Sequence, residues 1–272
     1  VDDHVVAVVR SWEQQGGGAP LRLRLERIFY DGTRVVLCDR SADLGLQGTL
    51  VARPGGGYDY LIGGQKHLAK LDASCATEWL VDEGGQYVTR TESGTYVLAP
   101  YSADEELELT WVRPNGELLR RTVISPGYAM VVTDITAVGA GVAIVGVADP
   151  GGSEKEFVAL ANGDGEIEWV RTYRKGRIWR NQITSVPGAG LAFSYETYRK
   201  DADEIHSGIV RLDADGREMW RMPLGNGRES VWVRGLVAGR DGRLALAGYT
   251  APNPIGGFGP RTDALVAWLD EL

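Results

Sequence analysis

Apolar and polar residues alternate over short stretches of this chain, and glycine, aspartate or asparagine repeatedly breaks the alternation. Gly208–Trp220 reads GIVRLDADGREMW: an alternating run, an Asp-Gly turn, then a short run ending in tryptophan. Side chains of a strand alternate between faces, and Asp-Gly tolerates the positive φ of a tight turn, so this segment predicts a β-hairpin. The same pattern recurs at Phe157–Trp169 (FVALANGDGEIEW) and at Leu107–Leu119 (LELTWVRPNGELL). It is altered at His67–Trp79, where Cys75 takes the place of the turn glycine, and an earlier copy spans Leu21–Leu37. Ala264–Leu272 carries the first half of the pattern.

A second hairpin pattern lies between these copies, clearest in Gly235–Thr250 (GLVAGRDGRLALAGYT). Its counterparts are Thr49–Gly63, Val88–Ala99, Ile135–Val147 and Ile183–Tyr195. The turn glycines Gly57, Gly94, Gly141, Gly190 and Gly242 follow one another at intervals of 37, 47, 49 and 52 residues. Two hairpins per interval make four strands, and four-stranded units of roughly 40–50 residues are the blades of a β-propeller. A parallel α/β fold would need helical windows with a 3.6-residue period, and the chain offers none that convince. Paired β-sandwiches would fit the length but would not repeat one hairpin pattern five or six times.

The predicted fold is therefore all-β, a single β-propeller of four-stranded antiparallel blades over residues 1–272, with six blades and with five or seven as alternatives. The repeats fall at about 1–46, 47–84, 85–127, 128–176, 177–229 and 230–272. Twenty-two predicted strands leave the set two short of six full blades, and Val5–Val9 is expected beside Ala264–Trp268, completing the set together. Tryptophans Trp79, Trp169 and Trp220, four residues after the turn position, are expected between blades. Asp31, Asn115, Asp164 and Asp215, each before a turn glycine, are expected to cap their own turns.

Ile209–Trp220 followed by Arg243–Thr250, and Val158–Trp169, are similar to the repeats of the bacterial quinoprotein-like (PQQ-like) propellers, including their secreted and lipoprotein forms. The likeness covers most of Thr49–Leu272. It implies a propeller scaffold working outside the cytoplasm, periplasmic, envelope-anchored or secreted. The chain lacks the adjacent cysteine pair and the acidic and amide ligand set of the cofactor-binding members, so no cofactor is expected.

Composition narrows the partners. Thirty-seven glycines fit a turn-rich all-β chain. A net charge of −8 repels phosphate backbones, so no nucleic-acid partner is expected. No apolar run approaches the ~18 residues of a membrane span. The chain opens on Val1 without methionine, which reads as a processed or trimmed product, and a leader or lipid anchor stays open. His4, His67 and His206 form no metal-ligand spacing, and Cys38 and Cys75 read as separate thiols rather than a metal site or a disulfide framework. DADG and NGDG are turns rather than calcium loops. Nucleophile-elbow and Walker motifs are absent, so no catalytic residue is assigned. The acidic runs Asp104–Glu106 and Asp201–Glu204 read as solvated loops between the second and third strands of a blade.

One segment stands out on this acidic chain. Arg171–Arg180 reads RTYRKGRIWR and is expected to connect an outer strand to the next inner strand near the central channel. The equivalent connection one repeat on, Arg221–Arg234, carries Arg228, Trp232 and Arg234. Tyr173, Arg177, Trp179, Arg180, Arg228, Trp232 and Arg234 are thus the candidate ligand-binding residues, suited to a carboxylate, phosphate, sulfated saccharide or acidic protein segment. The function so predicted is a non-catalytic binding or assembly scaffold. The alternative is a hydrolase or lyase acting on an anionic substrate at the channel mouth.

Overall fold

A computed structural model describes residues 4–11, 22–29, 31, 33–41, 47–52, 58–63, 67–72, 76–100, 104–149, 154–175, 177–178, 181–188, 190–199, 204–225, 229–252 and 263–269. All regular elements among them are strands, and they fall into six antiparallel sheets of consecutive strands. The first holds β1 (His4–Ser11), β2 (Arg22–Phe29) and β3 (Arg34–Ser41). The second holds β4 (Gln47–Ala52), β5 (Tyr58–Gly63), β6 (Leu68–Leu71) and β7 (Thr77–Val81). The third is β8 (Tyr87–Arg90), β9 (Tyr96–Ala99), β10 (Leu107–Val112) and β11 (Leu118–Ile124). The fourth is β12 (Met130–Val138), β13 (Gly141–Ala148), β14 (Lys155–Ala161) and β15 (Ile167–Lys175). The fifth has β16 (Arg177–Ile178) and β17 (Ile183–Val186) side by side along β18 (Gly190–Arg199), followed by β19 (Glu204–Leu212) and β20 (Glu218–Leu224). The sixth is β21 (Glu229–Ala238), β22 (Leu244–Pro252) and β23 (Asp263–Leu269).

Each sheet is a meander, the topology that the repeated hairpins predict. The chain divides into two compact units, residues 1–100 with 109–121, and residues 101–108 with 122–272. In the second unit consecutive sheets bury facing apolar rows. Val145, Val158 and Leu160 of the fourth sheet pack with Ile183, Leu191, Phe193 and Leu212 of the fifth. Ala192 and Ile209 of the fifth pack with Val233, Leu236, Leu244 and Leu246 of the sixth. In the first unit Leu61 and Leu68 pack with Tyr96 and Leu98.

The tryptophans lie where the repeat places them. Trp79 packs on Tyr96, ring centroids 5.6 Å apart, and its indole donates to the Pro114 carbonyl at 2.9 Å. The Trp169 indole donates to the Ala214 carbonyl at 3.3 Å. Each meets the hairpin turn of the next sheet at its glycine. An added Cβ on Gly116 or Gly216 would sit 2.9 Å from the indole, and both glycines hold positive φ, +90° and +74°. Both constraints exclude other residues there.

Two expectations need correction. In two of the four turns the capping side chain is not the one before the glycine but the one three before it. Asn162 Oδ1 accepts from Asp164 N and Glu166 N, and Asp213 Oδ1 accepts from Arg217 N. The glycine N–H bonds back to the carbonyl of the same residue, as in Gly165 to Asn162, so a side chain at that position spans the turn. Asn115 and Asp31 do cap locally, accepting from Glu117 N and Thr33 N. Second, twenty-three strands occur among the described residues where twenty-two were expected, because the inner strand of the fifth sheet is split into β16 and β17.

Candidate functional site

The inner strands of the second unit share one irregularity. In β12 the register shifts between Val132 and Asp134, and in β21 between Val233 and Gly235. In the fifth sheet the ladder on β18 is interrupted in the same region, with Ile178 pairing with Thr197 and Ile183 with Phe193. Aligned on Ile135, Ile183 and Leu236, the extra positions hold Thr133, Asn181 and Arg234. A bulge re-aims its side chain away from the ladder, which makes these positions the places where the scaffold can vary its chemistry.

Each position has a different fate. Thr133 is buried and donates to the Val145 carbonyl at 3.3 Å within its own sheet. Arg234 reaches to the preceding sheet, where its Nη1 lies 3.2 Å from Oε1 of the fully buried Glu196. The same oxygen accepts the Val233 N–H at 2.9 Å. Arg234 Nη2 donates to the Tyr249 hydroxyl at 3.0 Å. Its guanidinium carbon stands 5.1 Å from the ring centroids of both Trp232 and Tyr249, which stack 5.9 Å apart with planes 18° from parallel. Asn181 is fully buried, and neither Nδ2 nor Oδ1 has a hydrogen-bond partner among the described residues. The residue of the preceding sheet equivalent to Glu196 is Val147, so no carboxylate is supplied to it.

Asp134, next to the first bulge, accepts the Ile183 N–H at 2.9 Å and so ties the fourth sheet to the fifth. Loss of water around the carboxyl pushes its pKa up to about 6, against the opposing pull of the Ile183 and Ile135 N–H groups.

The carboxylate–arginine–tyrosine grouping recurs, and sequence reasoning missed it. In the first unit buried Asp59 accepts the Tyr96 hydroxyl at 2.7 Å, with Arg90 Nε at 3.3 Å and Lys70 Nζ at 3.5 Å. In the second unit Arg221 lies 4.8 Å from the Tyr195 ring centroid, 2.9 Å from Glu218 and 3.9 Å from the fully buried Glu156. Partners in sequence-adjacent sheets lie 37 and 38 residues apart in the Asp59–Tyr96 and Glu196–Arg234 pairs. That spacing, near one repeat, is the signal by which they could have been found.

The candidate ligand residues are distributed differently from the sequence expectation. Arg171–Lys175 is not a connecting loop but the continuation of β15, laddered as far as Lys155 opposite Lys175. The β-branched Val170 and Thr172 and the aromatic Trp169 and Tyr173 favour an extended backbone here. Tyr173 turns into the next sheet, donating to the Gly216 carbonyl at 2.7 Å and packing on Phe193 with ring centroids 5.5 Å apart. Burial raises its hydroxyl pKa, so it stays a neutral donor. Arg171 donates to the Asp215 carbonyl at 2.9 Å. Arg177 is on β16, opposite Tyr198. Trp179, Arg180 and Arg228 lie outside the described residues, as does Cys75. Trp232 and Arg234 are brought together. No group of three or more His, Cys, Asp or Glu suited to a metal ion occurs among the described residues. Among the described residues no helix is long and apolar enough to cross a membrane.

No protein-family description matches the chain, and no curated protein matches it. Solved structures do. A protein of unknown function from Dyadobacter fermentans is similar with a TM-score of 0.59 at 11% identity, covering 98% of this chain and 91% of that one. One of unknown function from Bacteroides caccae has a TM-score of 0.57 at 14% identity, covering 91% and 84%. The Dos1 propeller has a TM-score of 0.52 at 10% identity, covering 89% of this chain and 65% of that chain. At such identities the likeness concerns fold alone. With the repeated meanders, it makes this an all-β chain of the β-propeller fold, built from antiparallel blades.

Proposed function

We propose that this chain is a non-catalytic binding or assembly scaffold, working outside the cytoplasm, whose second unit recognises an anionic ligand with a flat apolar face. The observation that carries the reading is the Trp232–Arg234–Tyr249 stack. Glu196 and Tyr249 fix the guanidinium plane before any ligand arrives, so little side-chain entropy is lost on binding. Glu196 neutralises much of the charge. A ligand therefore has to add contact with the Trp232 ring to a charge-assisted bond, which suits an anionic saccharide, an aromatic carboxylate or an acidic peptide. Arg177, Arg180 and Arg228 are carried forward from the sequence as candidate contributors of positive charge to the same ligand. The extracytoplasmic setting rests on the resemblance to the quinoprotein-like repeats.

The test is a tryptophan-fluorescence titration with a panel of anionic sugars, carboxylates and acidic peptides, at low and high salt. Wild type is compared with Trp232→Ala and with Arg177→Ala/Arg180→Ala. Saturable binding that weakens with salt and drops at least tenfold in the variants supports the reading. Binding of no anion, or equal binding by the variants, overturns it.

A second reading, a hydrolase or lyase acting on an anionic substrate, has one observation in its favour. A carboxyl with a pKa near 6 is suited to general acid–base work at neutral pH, and Asp134 is such a group. Turnover of a substrate panel that is lost in Asp134→Asn would establish it.

A further inference from the structure

Two arginines of the second unit meet a buried acid in the same way. Arg221 Nη1 lies 3.9 Å from Oε2 of Glu156, Arg234 Nη1 lies 3.2 Å from Oε1 of Glu196, and both acids are fully buried. A tyrosine ring flanks each guanidinium, Tyr195 at 4.8 Å from that of Arg221 and Tyr249 at 5.1 Å from that of Arg234. The two arginines differ at the edge formed by Nε and Nη2. On Arg221 these nitrogens donate to the two oxygens of Glu218, at 3.2 and 2.9 Å. On Arg234 the same edge holds no carboxylate among the described residues.

A guanidinium carries five N–H donors in a rigid fork and no acceptor. Arg234 Nη1 engages both of its own, with Glu196 Oε1 and with the Val233 carbonyl at 3.0 Å. Nη2 gives one to the Tyr249 hydroxyl at 3.0 Å. Nε–H and the second N–H of Nη2 have no partner among the described residues. The Tyr249 hydroxyl accepts from Arg234, so its own proton remains to be donated, again with no acceptor among the described residues. Donors on neighbouring atoms are thus unengaged on an arginine side chain that is 30% exposed.

We propose that the Nε–Nη2 edge of Arg234 and the Tyr249 hydroxyl bind a single carboxylate carried on a flat ring, which takes at Arg234 the place that Glu218 takes at Arg221. The inference rests on the anionic-ligand reading above and narrows it to this class of acid. A planar carboxylate matches two parallel N–H bonds from one guanidinium edge. The Trp232 ring, stacked on Tyr249 beside the guanidinium, supplies the flat apolar contact. Glu196 already offsets the charge of Arg234. A phosphate monoester, with about −1.5 to −2 charge, therefore meets a guanidinium that can compensate little of it.

The test titrates the whole chain, labelled with nitrogen-15 at arginine, with 2-naphthoate, naphthalene-2-sulfonate and 2-naphthyl phosphate, which share a ring and differ in the anionic group. Glucuronate serves as the sugar acid. Naphthoate should bind saturably, about fivefold or more tighter than the sulfonate and the phosphate, and should move the Arg234 Nε–H resonance. Tyr249→Phe keeps the ring and loses the donor, and should weaken naphthoate by about threefold or more. Glu196→Gln removes the offsetting charge and keeps an acceptor for the Val233 N–H, and should tighten the phosphate by about fivefold or more. Thermal melts check that both variants fold, and the wild-type comparison decides alone if one does not. Equal binding of the three naphthyl anions, or naphthoate binding that leaves the Arg234 Nε–H resonance in place, overturns the carboxylate assignment while anion binding stands. Binding of none of the four ligands overturns both. Glucuronate binding more tightly than naphthoate supports the carboxylate and makes the ring a sugar.

Discussion

Replacing Arg234 by methionine removes the guanidinium from the stack and leaves the Glu196 carboxylate without its cation from β21. The contact is a charge-assisted hydrogen bond at 3.2 Å to a fully buried acid, and such bonds contribute about 1.5–3 kcal/mol. Cation–π contact with Trp232 and Tyr249 adds about 0.5–1 kcal/mol. Together these give a loss of about 2–4 kcal/mol, below the roughly 3–5 kcal/mol for breaking a fully buried pair, in keeping with the 30% exposure of Arg234. At about 2–4 °C per kcal/mol for a chain of this size, the melting midpoint should fall by roughly 4–16 °C. The double variant Glu196→Gln/Arg234→Met is the diagnostic partner. Its amide oxygen still accepts the Val233 N–H, and no charge is stranded, so at least half of the loss should be recovered. Thermal and urea melts of both variants, beside Arg217→Met at an exposed pair with Asp215, measure the difference. If Arg234→Met melts no lower than the double variant or the surface control, the arginine does not stabilise the buried acid and the reasoning fails.

Two further outcomes follow from the same structure. Gly216→Ala should cost about 1–2 kcal/mol in urea melts, because it strains a φ of +74° and drives a methyl into the Trp169 ring, whereas Gly127→Ala, strained but with open space, should cost less. Asp134 binds its proton more tightly folded than unfolded, since its pKa rises from 3.8 to about 6; its favourable contribution is complete below pH ~4 and lost as pH rises through 6. Wild type should therefore lose stability relative to Asp134→Asn between pH 4 and 7, and parallel pH profiles would refute the assignment.

Turn chemistry made the architecture legible. Asp-Gly and Asn-Gly pairs specify hairpins from within a few residues, and the Trp four residues later marks the strand that must face the next sheet. The segment Arg171–Lys175 misled because its charges suggested a solvated connection, while the ladder with β14 holds it extended and turns Tyr173 inward. The Glu196–Arg234–Tyr249 and Asp59–Arg90–Tyr96 groupings were not legible from local pattern. Their members come from neighbouring sheets, and a buried acid within an alternating strand looks like any outward-facing polar residue until its partner is placed beside it. Trp232 and Arg234 were picked out for their types, but their orientation depends on the bulge in β21, which no local residue pattern announces.

The bulge position itself offers the last test. Thr133 satisfies its hydroxyl within its sheet and Arg234 finds a carboxylate and a phenol, but the Asn181 amide is buried with neither donor nor acceptor engaged. An amide in that state sacrifices hydrogen bonds to water worth about 1–3 kcal/mol without return. Leucine has nearly the same shape and no polar atoms, so Asn181→Leu should raise the melting midpoint by a few degrees. A gain of that kind identifies a position where the sequence keeps a polar group at the expense of stability, as at sites retained for binding. A variant that melts below wild type would instead mean that a bound water completes the amide's bonds and that Asn181 is a structural residue. Measured together with the anion panel, Asn181→Leu separates the two: increased stability with weakened binding makes Asn181 a polar group retained for recognition, and increased stability with unchanged binding excludes that role.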